Sequence, residues 1–250
     1  MKAYFSVMIF AGVLAACQPS VQAPEVRVVP VPHTPLTTEP RLELLGPAVV
    51  KIGENTLEFS VTDYQLGVPT ETVRASEIAV SPNGQHIHVL VNNAPYMAHY
   101  DSRVKVDLDS GNQVVLAFLS RSYHESIKHP KAYVLKLFST TINDSIAIDM
   151  SEGKHLFYSR PKGEYLLEEG TDTPVLLDFY LVNTQLEDGL YVEMTLDGKQ
   201  YQLGKWQPYY LYGLQAGEHE IVLSLKDSLG RPIPGPFNQS ETRKFYIKNQ

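Results

Sequence analysis

The chain has 250 residues, 21 basic and 28 acidic, with a formal net charge of -7. A partner bound through nucleic-acid phosphates needs a clustered basic face, and here the basic residues stand singly or in isolated pairs such as Arg243-Lys244. The single cysteine, Cys17, excludes an intrachain disulfide, a thiolate zinc cluster and a redox pair.

Met1 and Lys2 give a short positive start, and Ala3 to Ala16 carry no charge. A run of about 14 apolar or small residues is too short to cross a hydrocarbon core of about 30 Å, so residues 1–16 read as a secretion signal. The run ends in Leu14-Ala15-Ala16-Cys17, which resembles the lipobox of bacterial lipoproteins. The resemblance covers only the signal. It implies cleavage before Cys17 and acylation of that residue, by diacylglyceryl on sulfur and an acyl chain such as palmitate on the new amino terminus. Two or three chains hold a membrane far better than one. Gln18 in place of Asp implies the outer membrane of a two-membrane cell by the same resemblance, so the expected localisation is the cell envelope.

Residues 17–40 form the next unit, with Pro19, Pro24, Pro30, Pro32, Pro35 and Pro40 and no apolar period. Proline fixes φ and biases its predecessor toward extended geometry, so this stretch is expected to be a semi-rigid stalk lifting the folded part off the lipid.

The remaining chain repeats itself. Gly84 to Asn93 sets against Gly189 to Gly198 at an offset of 105, with Tyr96 meeting Tyr201; Gly111 to Leu116 sets against Gly217 to Val222 at 106. Upstream, Leu57-Glu58-Phe59 sets against Leu177-Asp178-Phe179 at 120, leaving about 15 extra residues in the first copy near Gly67 to Pro82. Both halves show short alternating segments between turn residues, the pattern of antiparallel sandwiches, with Asn92-Asn93 and Asp197-Gly198 as hairpin turns. The segment Gly217 to Leu225 resembles the late strand of immunoglobulin-like domains. The expected fold is therefore all-β: two tandem immunoglobulin-like antiparallel sandwiches, residues 41–142 and 143–250.

Reactive side chains concentrate in the first of these, which holds His86, His88, His99, His124 and His129. Period two puts Ile87, Val89 and Val91 on one face of a strand and His86, His88 and Leu90 on the other, expected to be the outer face of the sheet. Two imidazoles there, with a third from His99 or from His124 in Tyr123-His124-Glu125-Ser126, suit zinc or copper(II); a surface without a common ligand is the alternative. That tetrapeptide also sets a base beside a hydroxyl, but no nucleophile elbow accompanies it, and no other catalytic signature is found.

In the second half, Trp206 and Tyr209 lie in Trp206-Gln207-Pro208-Tyr209-Tyr210-Leu211-Tyr212, which reads either as a sugar-stacking platform or as core aromatics of a strand. The expected function is that of a non-catalytic binding or structural module of the envelope, tethered to the membrane by lipid, with envelope proteins or glycans as partners. The alternative is a zinc- or copper-binding envelope protein.

Overall fold

The computed structural model describes residues 25–46, 49–72, 78–140, 148–150, 152–167 and 173–249. Cys17, the secretion signal and residues 18–24 of the expected stalk lie outside them.

The described residues form strands and one short 3-10 turn, with no α-helix. In chain order the strands are β1 (Arg27–Pro30), β2 (Arg41–Leu44), β3 (Gly53–Thr62), β4 (His86–Val91), β5 (Met97–His99), β6 (Arg103–Leu108), β7 (Asn112–Ser120), β8 (Tyr133–Ser139) and β9 (Ile148–Asp149). They continue as β10 (His155–Arg160), β11 (Gly163–Leu167), β12 (Val175–Val182), β13 (Leu190–Leu196), β14 (Lys199–Leu203), β15 (Tyr209–Tyr212), β16 (Gly217–Asp227) and β17 (Arg243–Asn249).

One strand order occurs twice, apart from β1, which adds an edge strand in the second unit, and the edge strands β9 and β11, which pair antiparallel and parallel respectively. The first unit has sheets β2-β3-β6 and β5-β4-β7-β8-β9; the second has β10-β12-β15-β1 and β14-β13-β16-β17-β11. Equivalent side chains enter equivalent cores. Leu57, Phe59, Ile87, Val89 and Val115 fill the first, and Leu177, Phe179, Val192, Met194 and Ile221 fill the second. The hairpin turns form as expected, with positive φ at Asn92 (50°), Asn93 (59°), Asp197 (49°) and Gly198 (79°), the backbone of a type I′ turn. One equivalence shifts by a residue. Val89 pairs with Met97 while Met194 pairs with Tyr201, so Met97 is the counterpart of Tyr201, and Tyr96 turns to the opposite face.

Two expectations are corrected. Within the expected stalk, Arg27–Pro30 pair antiparallel with β15, and Val31 donates its amide to Pro208 O at 3.0 Å and is buried with Leu176 and Tyr210. Val26 and Val28 add to the second core, which is why this proline-rich segment docks. The second correction concerns the face carrying His86, His88 and Leu90. It is not an outer face: all three are buried, with exposures of 0%, 0% and 1%.

The cause is a third core. Leu90, Tyr96, Leu116 and Phe118 of the first unit meet Phe157, Tyr180 and Val182 of the second, with Phe118 stacked on Tyr180 at 4.5 Å between ring centroids. β10 and β12 are buried at every position, and β7 at every position after Asn112, because both faces of these strands are covered; β6, with one face in water, alternates. At the seam, Lys128 and Asp178 pair at 2.5 Å, and Tyr180 Oη donates to Ile127 O at 3.1 Å.

Candidate metal centre

His86 and His88 sit two residues apart on β4, so their rings leave the same face, as the period-two reading requires. His124 reaches them from the loop after β7. His124 N donates to Arg121 O at 2.9 Å, and its backbone holds φ of 67°, a left-handed conformation that non-glycine residues adopt sparingly. That tight turn folds the imidazole back over β4.

The three rings converge. His86 Nε2 lies 2.8 Å from His88 Nε2 and 3.2 Å from His124 Nδ1, and one ligand atom from each ring falls within 4.8 Å of the others. Three nitrogens on a tetrahedral zinc, each at 2.0–2.1 Å, stand about 3.3 Å apart, so the two contacts made by His86 would widen by a few tenths of an ångström, while His88 and His124, which lie within 4.8 Å, would adjust to the same spacing.

Hydrogen bonding fixes the orientation of His86. Its Nδ1 lies 2.8 Å from Gly84 O, an acceptor only, so Nδ1 carries the proton and Nε2 presents its lone pair to the centre. His88 Nε2 and His124 Nδ1 both face that single lone pair. Without an ion, at most one of them can donate along its direction; with a cation at the centre, all three nitrogens become acceptors toward it. The carbonyl behind His86 is the kind of support that metal-bound imidazoles have.

The imidazoles are held neutral. Burial takes His86 down to about 4, against a weaker opposing effect of the Gly84 carbonyl. Burial, then repulsion from Arg160, His86 and Lys162, takes His124 to about 2. His88 is also driven well below the ordinary range, first by burial and then by His86 and His124. A neutral imidazole is the form that binds a metal.

The second unit closes the site. Ser159 Oγ lies 3.5 Å from His88 Nδ1, and Arg160 and Lys162 stand over the Tyr96 ring, which stacks on His88 at 3.7 Å. No local signal in the sequence tied Ser159, Arg160 or Lys162 to the histidines, because 71 positions separate His88 from Ser159.

The other expected residues stand elsewhere. His99 pairs with Ile87 across β4 and β5, which sends its ring to the opposite face from His86 and His88. His129 accepts a bond from the amide of Lys131 at 3.3 Å and is not part of the cluster. Tyr209 is buried in the second core with its hydroxyl donating to Lys205 O at 2.9 Å, so it offers no open face to a sugar. Trp206 is half-buried, donates Nε1–H to Phe179 O at 3.2 Å and packs edge-on against Tyr180. In Tyr123-His124-Glu125-Ser126 the amide of Ser126 bonds Asp178, while the His124 ring turns toward His86.

No protein-family model matches the chain, and no curated protein matches it. Among solved structures it is similar to fibronectin(III)-like modules of Clostridium thermocellum CbhA, at 12% identity over 83% of this chain and 94% of that one, with a TM-score of 0.27. It is also similar to a Bacteroides ovatus protein of a mixed-linkage glucan utilization locus, solved with a mixed-linkage heptasaccharide, at 8% identity, 83% and 70% coverage, and a TM-score of 0.22. A third is the extracellular domain of a hybrid two-component system from B. thetaiotaomicron, at 11% identity, 86% and 39% coverage, and a TM-score of 0.29. No site residue is carried over from these structures.

Proposed function

We propose that this chain is a lipid-anchored protein of the cell envelope whose two sandwiches act as a non-catalytic binding module, and that the ligand held by the module is a transition-metal ion on His86, His88 and His124. The observation that carries the metal is the convergence of three ring nitrogens, one from each histidine, within 4.8 Å. All-nitrogen ligation without thiolate suits zinc or copper(II). The resemblance of Leu14 to Cys17 to a lipobox supports the anchor.

The ion would be set in a polar pocket enclosed by both units, and what the protein supplies there is orientation and shielding from water. The Gly84 carbonyl orients His86, the backbone of the Arg121–Glu125 turn presents His124, and Tyr96 covers one side of His88.

The test is metal analysis of the full-length protein extracted in detergent, stripped with chelator and reloaded with zinc or copper(II). One ion per chain is expected, lost in His86→Ala and His88→Ala and retained in His99→Ala, whose ring faces away. Absence of stoichiometric binding for both metals overturns the reading.

A further inference from the structure

Arg160 is buried, with an exposure of 9%, beside a cluster that contains no acid. Its Nη1 donates to Tyr165 Oη at 3.1 Å and its guanidinium lies 5.4 Å from the centre of the Tyr96 ring, but its Nε has no partner. No carboxylate among the described residues pairs with it. Lys162 is likewise spent on neutral groups, its Nζ donating to Tyr96 O at 2.6 Å and lying 4.4 Å from that ring's centre. Two cations thus stand against three neutral imidazoles and neutral phenols, including Tyr96, whose hydroxyl burial pushes up to about 12.

A buried guanidinium with no counter-charge is costly, and a divalent ion placed next to it raises that cost. Both penalties fall if an anion enters with the metal. A narrow cleft opens at this point, lined by Ile78, Ala79, Tyr123, His124, Arg160 and Tyr165 among others, with room for about one water-sized group, so a carboxylate or phosphate head enters only if the side chains around it move outward. Ile78, Ala79, Pro174 and Leu176 form the apolar half of the lining, and the guanidinium fork matches the geometry of carboxylate or phosphate oxygens.

We propose that this cleft binds a small oxyanion, a carboxylate or phosphate head, which pairs with Arg160 and occupies the position that three protein ligands leave open on a tetrahedral ion. This rests on the metal reading above. The protein would then recognise the ion and the anion together, the first unit supplying the imidazoles and the second the positive charge.

Cobalt(II) replaces zinc in nitrogen sites and reports its ligands through visible absorption bands. The full-length protein in detergent, loaded with cobalt(II), is titrated with sodium acetate and, separately, inorganic phosphate. A saturable band shift with at least one anion is expected, weakened about tenfold or more in Arg160→Gln, while both proteins hold one cobalt per chain. Arg160→Lys keeps the charge and serves if the glutamine variant fails to fold; it is expected to keep saturable binding with a weaker midpoint. Cobalt bound with no anion-dependent shift, or a shift unchanged in both variants, overturns the oxyanion site and leaves the metal reading standing. Failure to bind any of cobalt(II), zinc and copper(II) in metal analysis removes the metal reading and this inference with it, and binding of zinc or copper(II) without cobalt(II) removes this inference alone.

Discussion

The ring of His124 meets that of His86 at 3.2 Å between nitrogens, although 38 positions separate the two in sequence. A left-handed residue in the loop after β7 makes this contact, and it turns a pair of neighbouring histidines on one strand into a three-nitrogen cluster.

Metal should stabilise the fold in proportion to occupancy. An ion that binds only the native state adds about 2.7 kcal/mol at a free concentration of 100 times its Kd. The melting temperature of the stripped protein is expected to rise on adding zinc or copper(II), and that rise should vanish in His124→Ala. A rise of equal size in the variant would show that the ion acts elsewhere.

Gly84 positions His86 from behind. Its φ is +85°, and a Cβ at this position would lie 2.5 Å from backbone atoms of Val68, so Gly84→Ala must displace the chain. The strain is expected to cost about 1–3 kcal/mol. Because the Gly84 carbonyl holds Nδ1 of His86, metal affinity should also fall about 10- to 100-fold, measured by competition with a chelator. Loss of stability with unchanged affinity would separate the glycine from the site.

The metal-free protein should weaken in acid. The folded His86 titrates at about 4 and His124 at about 2, below the ordinary 6.5 they regain on unfolding, so the unfolded chain binds more protons once pH drops below about 6.5. The stability these groups contribute is fully present above 6.5, is lost for His86 as pH falls to about 4, and goes on falling for His124 toward 2. Between pH 7 and 4 the melting temperature is expected to drop by about 5 °C or more. Replacing all three histidines by phenylalanine or leucine should flatten that slope, and an equally steep slope in the triple variant would assign it to other groups.

Asp178 ties the two units together. It is fully buried, accepts from Lys128 Nζ at 2.5 Å and from the Ser126 amide at 3.3 Å, and so fixes the loop that carries His124. Asp178→Ala leaves the lysine without its counter-charge and is expected to cost about 3–5 kcal/mol in urea denaturation. Pairing Asp178→Leu with Lys128→Met should recover most of that loss. A single alanine variant as stable as the parent would mean that the seam does not depend on the pair.

The anchor is tested separately. Cys17→Ser is expected to leave the protein unacylated and either to shift it from the membrane fraction to the soluble fraction after cell breakage or to block removal of residues 1–16, as judged by fractionation and mass spectrometry of the amino terminus. Retention of a lipid adduct in the variant would refute the assignment.

The alternation of Ile87, Val89 and Val91 with His86, His88 and Leu90 was legible because a strand's side-chain period is two, whatever surrounds it. The repeated strands were legible for the same reason: Leu57 and Phe59 fill one core as Leu177 and Phe179 fill the other. A further signal was present in the continuous apolar run Val114 to Leu119, since a strand covered on both faces loses its alternation. It marks burial without naming what lies above.

Only the tertiary structure decided that the histidine face of β4 meets β10 and β12 rather than water, and that His124 joins the cluster while His99 does not. Local periodicity sets which side chains share a face. The medium on that face, and the charges set against it by Arg160 and Lys162, come from residues about 70 positions away, brought there by packing of Phe118, Phe157 and Tyr180 that no local pattern encodes.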